Sequence, residues 1–105
     1  MGNGPKGGNM SRKYEIAFLL RESEHVVALE RIKTALGKTN TELVSENTTM
    51  GVRELAYTIV KNREKFTRAY YYFVNINAIP EQLVAFEEAI KYDQGIIRHM
   101  VVLDS

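Results

Sequence analysis

The sequence predicts an α+β domain of the ferredoxin-like, split βαβ kind: a four-stranded antiparallel sheet with two helices on one face. Three observations carry this. Apolar residues alternate with a period of two in four segments and recur at three- and four-residue steps in two others. The segments run strand, helix, strand, strand, helix, strand, which reads as two βαβ-like halves with right-handed crossovers. The third strand is apolar on both faces, as a central strand is. Strands one and three are then central, strands two and four are edges, and one sheet face carries no helix.

Each element has its own residues. Positions 1–11 form a flexible arm, since Met1 to Asn9 hold four glycines and a proline and no large apolar residue beyond the initiator, too little to offset the entropy of ordering. The domain is 12–105. From Arg12 to Leu20, Tyr14, Ile16, Phe18 and Leu20 share one side of a strand. Ser23 to Leu36 changes period, with Val26, Leu29, Ile32 and Leu36 on one stripe, Ser23 as N-cap and Gly37 as terminator. Glu42 to Val60 is again strand-like, with a polar middle and Gly51 marking a bend or bulge.

Lys61 to Arg68 reads as a basic connection, a solvated hairpin loop in which Phe66 is the one bulky apolar residue. Ala69 to Asn77 places Tyr70, Tyr72, Val74 and Ile76 on one face and Tyr71, Phe73 and Asn75 on the other. Pro80 opens a second helix through Leu83, Phe86 and Ile90, ending near Asp93 to Gly95. Ile96 to Leu103 is the last strand, an edge apolar on both sides and interrupted by Arg98 and His99.

Composition narrows the function. With no Cys there is neither a disulfide framework nor a thiolate metal site. Two histidines that stand far apart in the chain argue against a catalytic metal, and no cofactor is expected. No apolar run reaches the roughly 20 residues that span a bilayer, so no membrane partner is expected either. Fourteen basic against thirteen acidic residues leave no overall basic excess, so any nucleic-acid contact must be a local patch.

No catalytic constellation emerges, and the chain is not expected to be an enzyme. The serines lack a His placed to act as their base, and no Gly-rich loop joins a strand to a helix. Glu87 and Glu88 point about 100° apart on a helix, as a solvated face does. His25 reads as an exposed first-turn residue, and His99 as a partly buried, hydrogen-bonded one.

Arg68-Ala69-Tyr70-Tyr71-Tyr72-Phe73-Val74 loosely fits the aromatic strand of an RNA-recognition module, on which bases stack. Ala69 and Tyr71 stand where that motif wants Gly and a small residue. If Tyr70 and Tyr72 face the helices they are core aromatics. A single-stranded RNA binder of that kind is one alternative. A metabolite-sensing homodimer on the same fold is another, although Ala78-Ile79-Pro80 makes a poor pocket.

The stretch Gly51-Val52-Arg53-Glu54-Leu55-Ala56-Tyr57-Thr58-Ile59 closely resembles the signature of the bacterial small-ribosomal-subunit protein six family. Arg12-Lys13-Tyr14-Glu15-Ile16 is similar to that family's first strand and Ile97-Arg98-His99-Met100-Val101-Val102 to its last. The resemblance covers about Met10 to Leu103. It implies the same fold, a heterodimer with small-subunit ribosomal protein eighteen, binding to the central domain of small-subunit ribosomal RNA, and a cytoplasmic, ribosomal location. It assigns RNA or partner contacts to Arg12, Tyr14, Arg53, Tyr57, Lys61 and Arg98. The chain departs from the family pattern at Val52, where a second cation is usual, at Thr58, where Pro is usual, at His99, and in the length of the Lys61 to Arg68 connection.

Overall fold

In the computed structural model, which describes residues 11–104, the element order is β1 (Arg12–Leu20), a 3-10 turn (Glu22–Glu24), α1 (His25–Lys38), β2 (Glu42–Lys61), β3 (Glu64–Ala78), α2 (Pro80–Ile90) and β4 (Ile96–Asp104). The arm expected over 1–11 lies, Ser11 apart, outside the described residues. The strands form one antiparallel sheet in the order β2-β3-β1-β4, with β1 and β3 central, as the sequence predicts.

Pleating assigns the faces. Ile16 lies opposite Val74 and Phe18 opposite Tyr72, and all four are buried. Ala28, Ile32, Ala35 and Leu36 of α1 and Phe86 and Ile90 of α2 pack against them in one core cluster. Phe18 is its centre, stacked on Tyr72 at 5.9 Å and edge-on to Phe86 at 6.3 Å. The Tyr72 hydroxyl escapes the burial cost of an unpaired polar group by donating to Glu46 of β2 at 2.8 Å. Glu46 also takes Lys33 at 3.0 Å, and its pKa is lowered by the Tyr72 bond first and Lys33 second.

The buried stripe of α1 differs from the expected one. Val26 is exposed and Ala28 takes the contact position, because the helix begins at His25 and approaches the loop before β4 closely. A methyl at Gly95 would lie 2.8 Å from the Ala28 Cβ, so only small residues fit there. Ser23 makes no cap bond and falls in the 3-10 turn. His25 is half-buried, not exposed, with its ring 4.0 Å from that of Tyr70.

Gly37 does not end α1. Termination falls at Asn40 in the left-handed region (φ 55), where the Thr41 N–H donates to the Leu36 carbonyl and the Asn40 N–H to the Gly37 carbonyl. That pair of bonds is a Schellman closure, and Asn substitutes for the usual Gly. Gln82 of α2 ties into the same corner, accepting from the Ile79 N–H and donating to the Asn40 carbonyl.

Lys61 to Arg68 is not a loop. Only Asn62 and Arg63 turn, both with positive φ (53 and 66), the requirement of a two-residue type I′ hairpin. Strand β3 resumes at Glu64. Of the cations that suggest a solvated loop, Lys65 and Arg68 lie on the ladder, opposite Val60 and Glu54. The extended hairpin carries a second small core in which Ile59, Ala69 and Ile97 are joined by Leu19, Leu55 and Phe66.

Arg21 fastens this hairpin to the body. Its guanidinium donates to the Gln94 carbonyl and to Glu64, and sits 4.9 Å from the centre of the Phe66 ring. Arg31 makes a paired contact with Asp93, Nε and Nη2 each donating to one carboxylate oxygen at 2.7 Å, and Asp93 also accepts from the Gly95 N–H.

Replacing Gly95 with Ala should therefore force Ala28 and Arg31 apart and cost about 1–3 kcal/mol of stability, read as a lowered melting temperature with the spectroscopic fold retained. Arg31 holds the Asp93 carboxyl below its ordinary pKa, against the opposing effect of burial. That stabilisation is complete above the unfolded value of about 3.9 and is lost as pH falls through the lower folded value. Melting curves from neutral to acid pH should show the decline, and Asp93→Asn should remove part of the acid dependence while lowering stability at neutral pH.

Candidate nucleic-acid and partner interface

Strand parity fixes what the helix-free face displays. Across the sheet, Asn47, Phe73, Ala17 and Met100 form one row, and Gly51, Tyr71, Leu19 and Arg98 the next. Tyr71 and Phe73 stack at 6.4 Å and, with Ala17, Leu19, Arg98 and Met100, line a shallow apolar depression. Toward β2 the face turns polar, where Asn75 donates to Ser45 and Asn77 to Glu42.

Edge strand β2 is extended but irregular. From Asn47 to Gly51 it advances four residues while β3 advances two, from Phe73 to Tyr71, and from Glu54 to Ile59 it advances five against two. The first excursion is shaped by Asn47, whose side-chain oxygen accepts from the N–H and hydroxyl of Thr49, and by Gly51 at φ 61. It re-aims the side chains of the next few residues. Arg53 lies opposite Ala69, which puts it on the helix-free side by register. Its Nε donates to the Met50 carbonyl at 2.8 Å, and the guanidinium forms no ion pair among the described residues.

The second excursion spans Leu55 to Thr58. There the alternation read from the sequence ceases to be a ladder, and Tyr57 is 68% exposed. A sheet-anchoring tyrosine is half-buried; this one presents its ring to solvent.

The six expected contact residues do not converge on one spot. Arg53 and Arg98 share the helix-free face, Arg98 beside Tyr71 and Leu19. Arg12 and Tyr14 belong to the opposite face by pleat, Arg12 exposed and Tyr14 half-buried against the main core. Lys61 folds inward, its ammonium donating to the Ile96 carbonyl. Burial lowers its pKa, nearby Arg21 adds to the shift and Asp93 opposes it. Sequence reasoning missed Tyr71 and Phe73 as surface groups. Their signal is present in the odd-numbered positions of β3, opposite the core set Tyr70, Tyr72 and Val74.

His99 behaves as expected: its ring stacks on Phe18 at 6.1 Å and Nε2 meets Glu87 at 2.9 Å. Glu87 is thus a partner to β4 and not merely solvated. Among the described residues, no helix is long and apolar enough to cross a membrane.

Comparison with known proteins supplies the family. The fold is similar to that of the 30S ribosomal protein S6 of Thermotoga maritima, with a TM-score of 0.76 at 23% identity over 90% of this chain and 88% of that one. It is less similar to an uncharacterized protein of the same organism, at 0.55 with 13% identity over 90% and 99% of the two chains. The C-terminal domain of the MgtC protein from Mycobacterium tuberculosis gives 0.56 with 10% identity over 96% and 94%. The family model described as ribosomal protein S6 matches residues 13–103, from the second residue of β1 almost to the end of β4. The chain belongs to the ribosomal protein S6 family, a family of ribosomal proteins and not of enzymes.

Proposed function

We propose that this protein is a structural constituent of the small ribosomal subunit, that it binds the central domain of small-subunit ribosomal RNA together with small-subunit ribosomal protein eighteen, and that it works in the cytoplasm. The observation that carries the reading is the family match over residues 13–103. The placement of Gly51 to Ile59 on edge strand β2 is compatible with it, since that strand offers Arg53 and Tyr57 to solvent.

The physics of such binding does not need a basic protein. A few guanidinium groups meeting phosphates position a protein on RNA, and Arg makes paired contacts that Lys cannot. Shape and splayed bases supply the specificity. Arg53 and Arg98 are the cations most available for this role, and Tyr57, Tyr71 and Phe73 supply apolar or stacking area. Arg12 and Tyr14 form a separate contact at the far end of β1. Lys61 enters the reading through its hold on Ile96, which keeps the hairpin seated.

Filter binding at fixed salt tests the cooperative element. The isolated protein should hold central-domain RNA weakly, and adding protein eighteen should tighten binding by orders of magnitude; equal affinity with and without the partner defeats that element. Arg53→Ala should cost about 1–3 kcal/mol of RNA or partner affinity with little change in melting temperature. A large drop in melting temperature would instead assign Arg53 to the fold.

A further inference from the structure

The two edges of the sheet are protected very differently. Strand β2 is broken by register shifts and carries charge along its length. Beyond the irregularity at Ile97, β4 runs from Arg98 to Asp104 in unbroken register with β1, and no strand covers its other side among the described residues. Met100, Val102 and Leu103 are 62%, 56% and 49% exposed. Proteins blunt open edges with charge, proline or bulges, and between Met100 and Leu103 this edge has none of them.

The residue order of β4 is complementary to itself. When a two-fold axis perpendicular to the sheet adds an antiparallel strand, residues equidistant from the axis in opposite directions face one another, and both sheets keep the same face on the same side. With the axis at Val101, Arg98 faces Asp104 of the second copy and Asp104 faces its Arg98. Met100 meets Val102, and His99 meets Leu103. Moving the axis to Met100 sets Arg98 against Val102, and moving it to Val102 carries Arg98 beyond the strand end. Neither Arg98 nor Asp104 forms an ion pair among the described residues, although Lys13 lies opposite Asp104 in its own sheet.

We propose that β4 pairs with β4 of a second copy of this chain in the register centred on Val101, giving a two-fold dimer with one continuous sheet. Apolar rows form its middle on both faces, and the Arg98–Asp104 pairs close its two ends. The interface is small, so the dimer is a weak, concentration-dependent one.

Analytical ultracentrifugation of the full chain over a wide concentration range tests this, with the mass expected to rise from 12.0 kDa toward twice that value. Arg98→Asp and Asp104→Arg each set like charges opposite one another at both ends and should weaken association about tenfold. The variant carrying both exchanges should regain it, which a merely damaged fold cannot do. Val102→Lys, a charge in the middle of the edge, should abolish dimerisation, and circular dichroism checks that each variant remains folded. A chain that stays monomeric throughout overturns the proposal and leaves the edge to a strand of another protein. Association that survives both single reversals undiminished overturns it as well, by placing the contact elsewhere.

Discussion

The register between β1 and β3 is the constraint on which the rest depends. With Phe18 opposite Tyr72 and Ile16 opposite Val74, every second residue of the two central strands enters the helix-covered core and every other one reaches the open face. A slip of one residue would reverse both sets at once, sending Tyr71 and Phe73 inward and Tyr72 out. The tyrosine run 70–72 could tolerate such a slip by composition alone. What forbids it is position: only Tyr72 finds Glu46 for its hydroxyl, and only the Phe18 side meets Phe86.

This constraint also explains why the two faces do different work. The helix side is filled by close packing down to the methyl groups of Ala28 and Ala35. The open side is left with paired aromatics, a few apolar neighbours and arginines at its margin. A sheet that needs helices on one face only has surface to spare on the other, and in this chain that surface lies between an irregular edge and a regular one.

Much of the architecture is legible in the sequence because it rests on periodicity. Arg12–Leu20 can be read to the residue, and the order of strands comes from two-sided apolar content in β3. The failures have local physical causes. Gly37 looks like a helix stop, but a glycine ends a helix only where the chain takes a left-handed turn, and Asn40 does that instead. Charge conceals the strand from Glu64 to Arg68, since a ladder extending past the core need not be apolar. The sites are less legible than the fold: Lys61 and Arg53 look alike as cations in a signature, and only packing separates the one bound to a buried carbonyl from the one facing outward. Tyr71 and Phe73 need nothing beyond parity to be found.

One pairing sets how late in synthesis the sheet can be completed. Lys13 lies opposite Asp104, so β1, the first strand made, receives its second neighbour only from β4, the fourth. Until then β1 has β3 on one side and an open row of amides and carbonyls on the other, and the helices cover a sheet of three strands. Non-local pairing of this kind is slow to form and leaves the partly made chain prone to wrong partners. While it is still being translated, this protein is an unfinished sheet whose central strand β1 waits for its last neighbour.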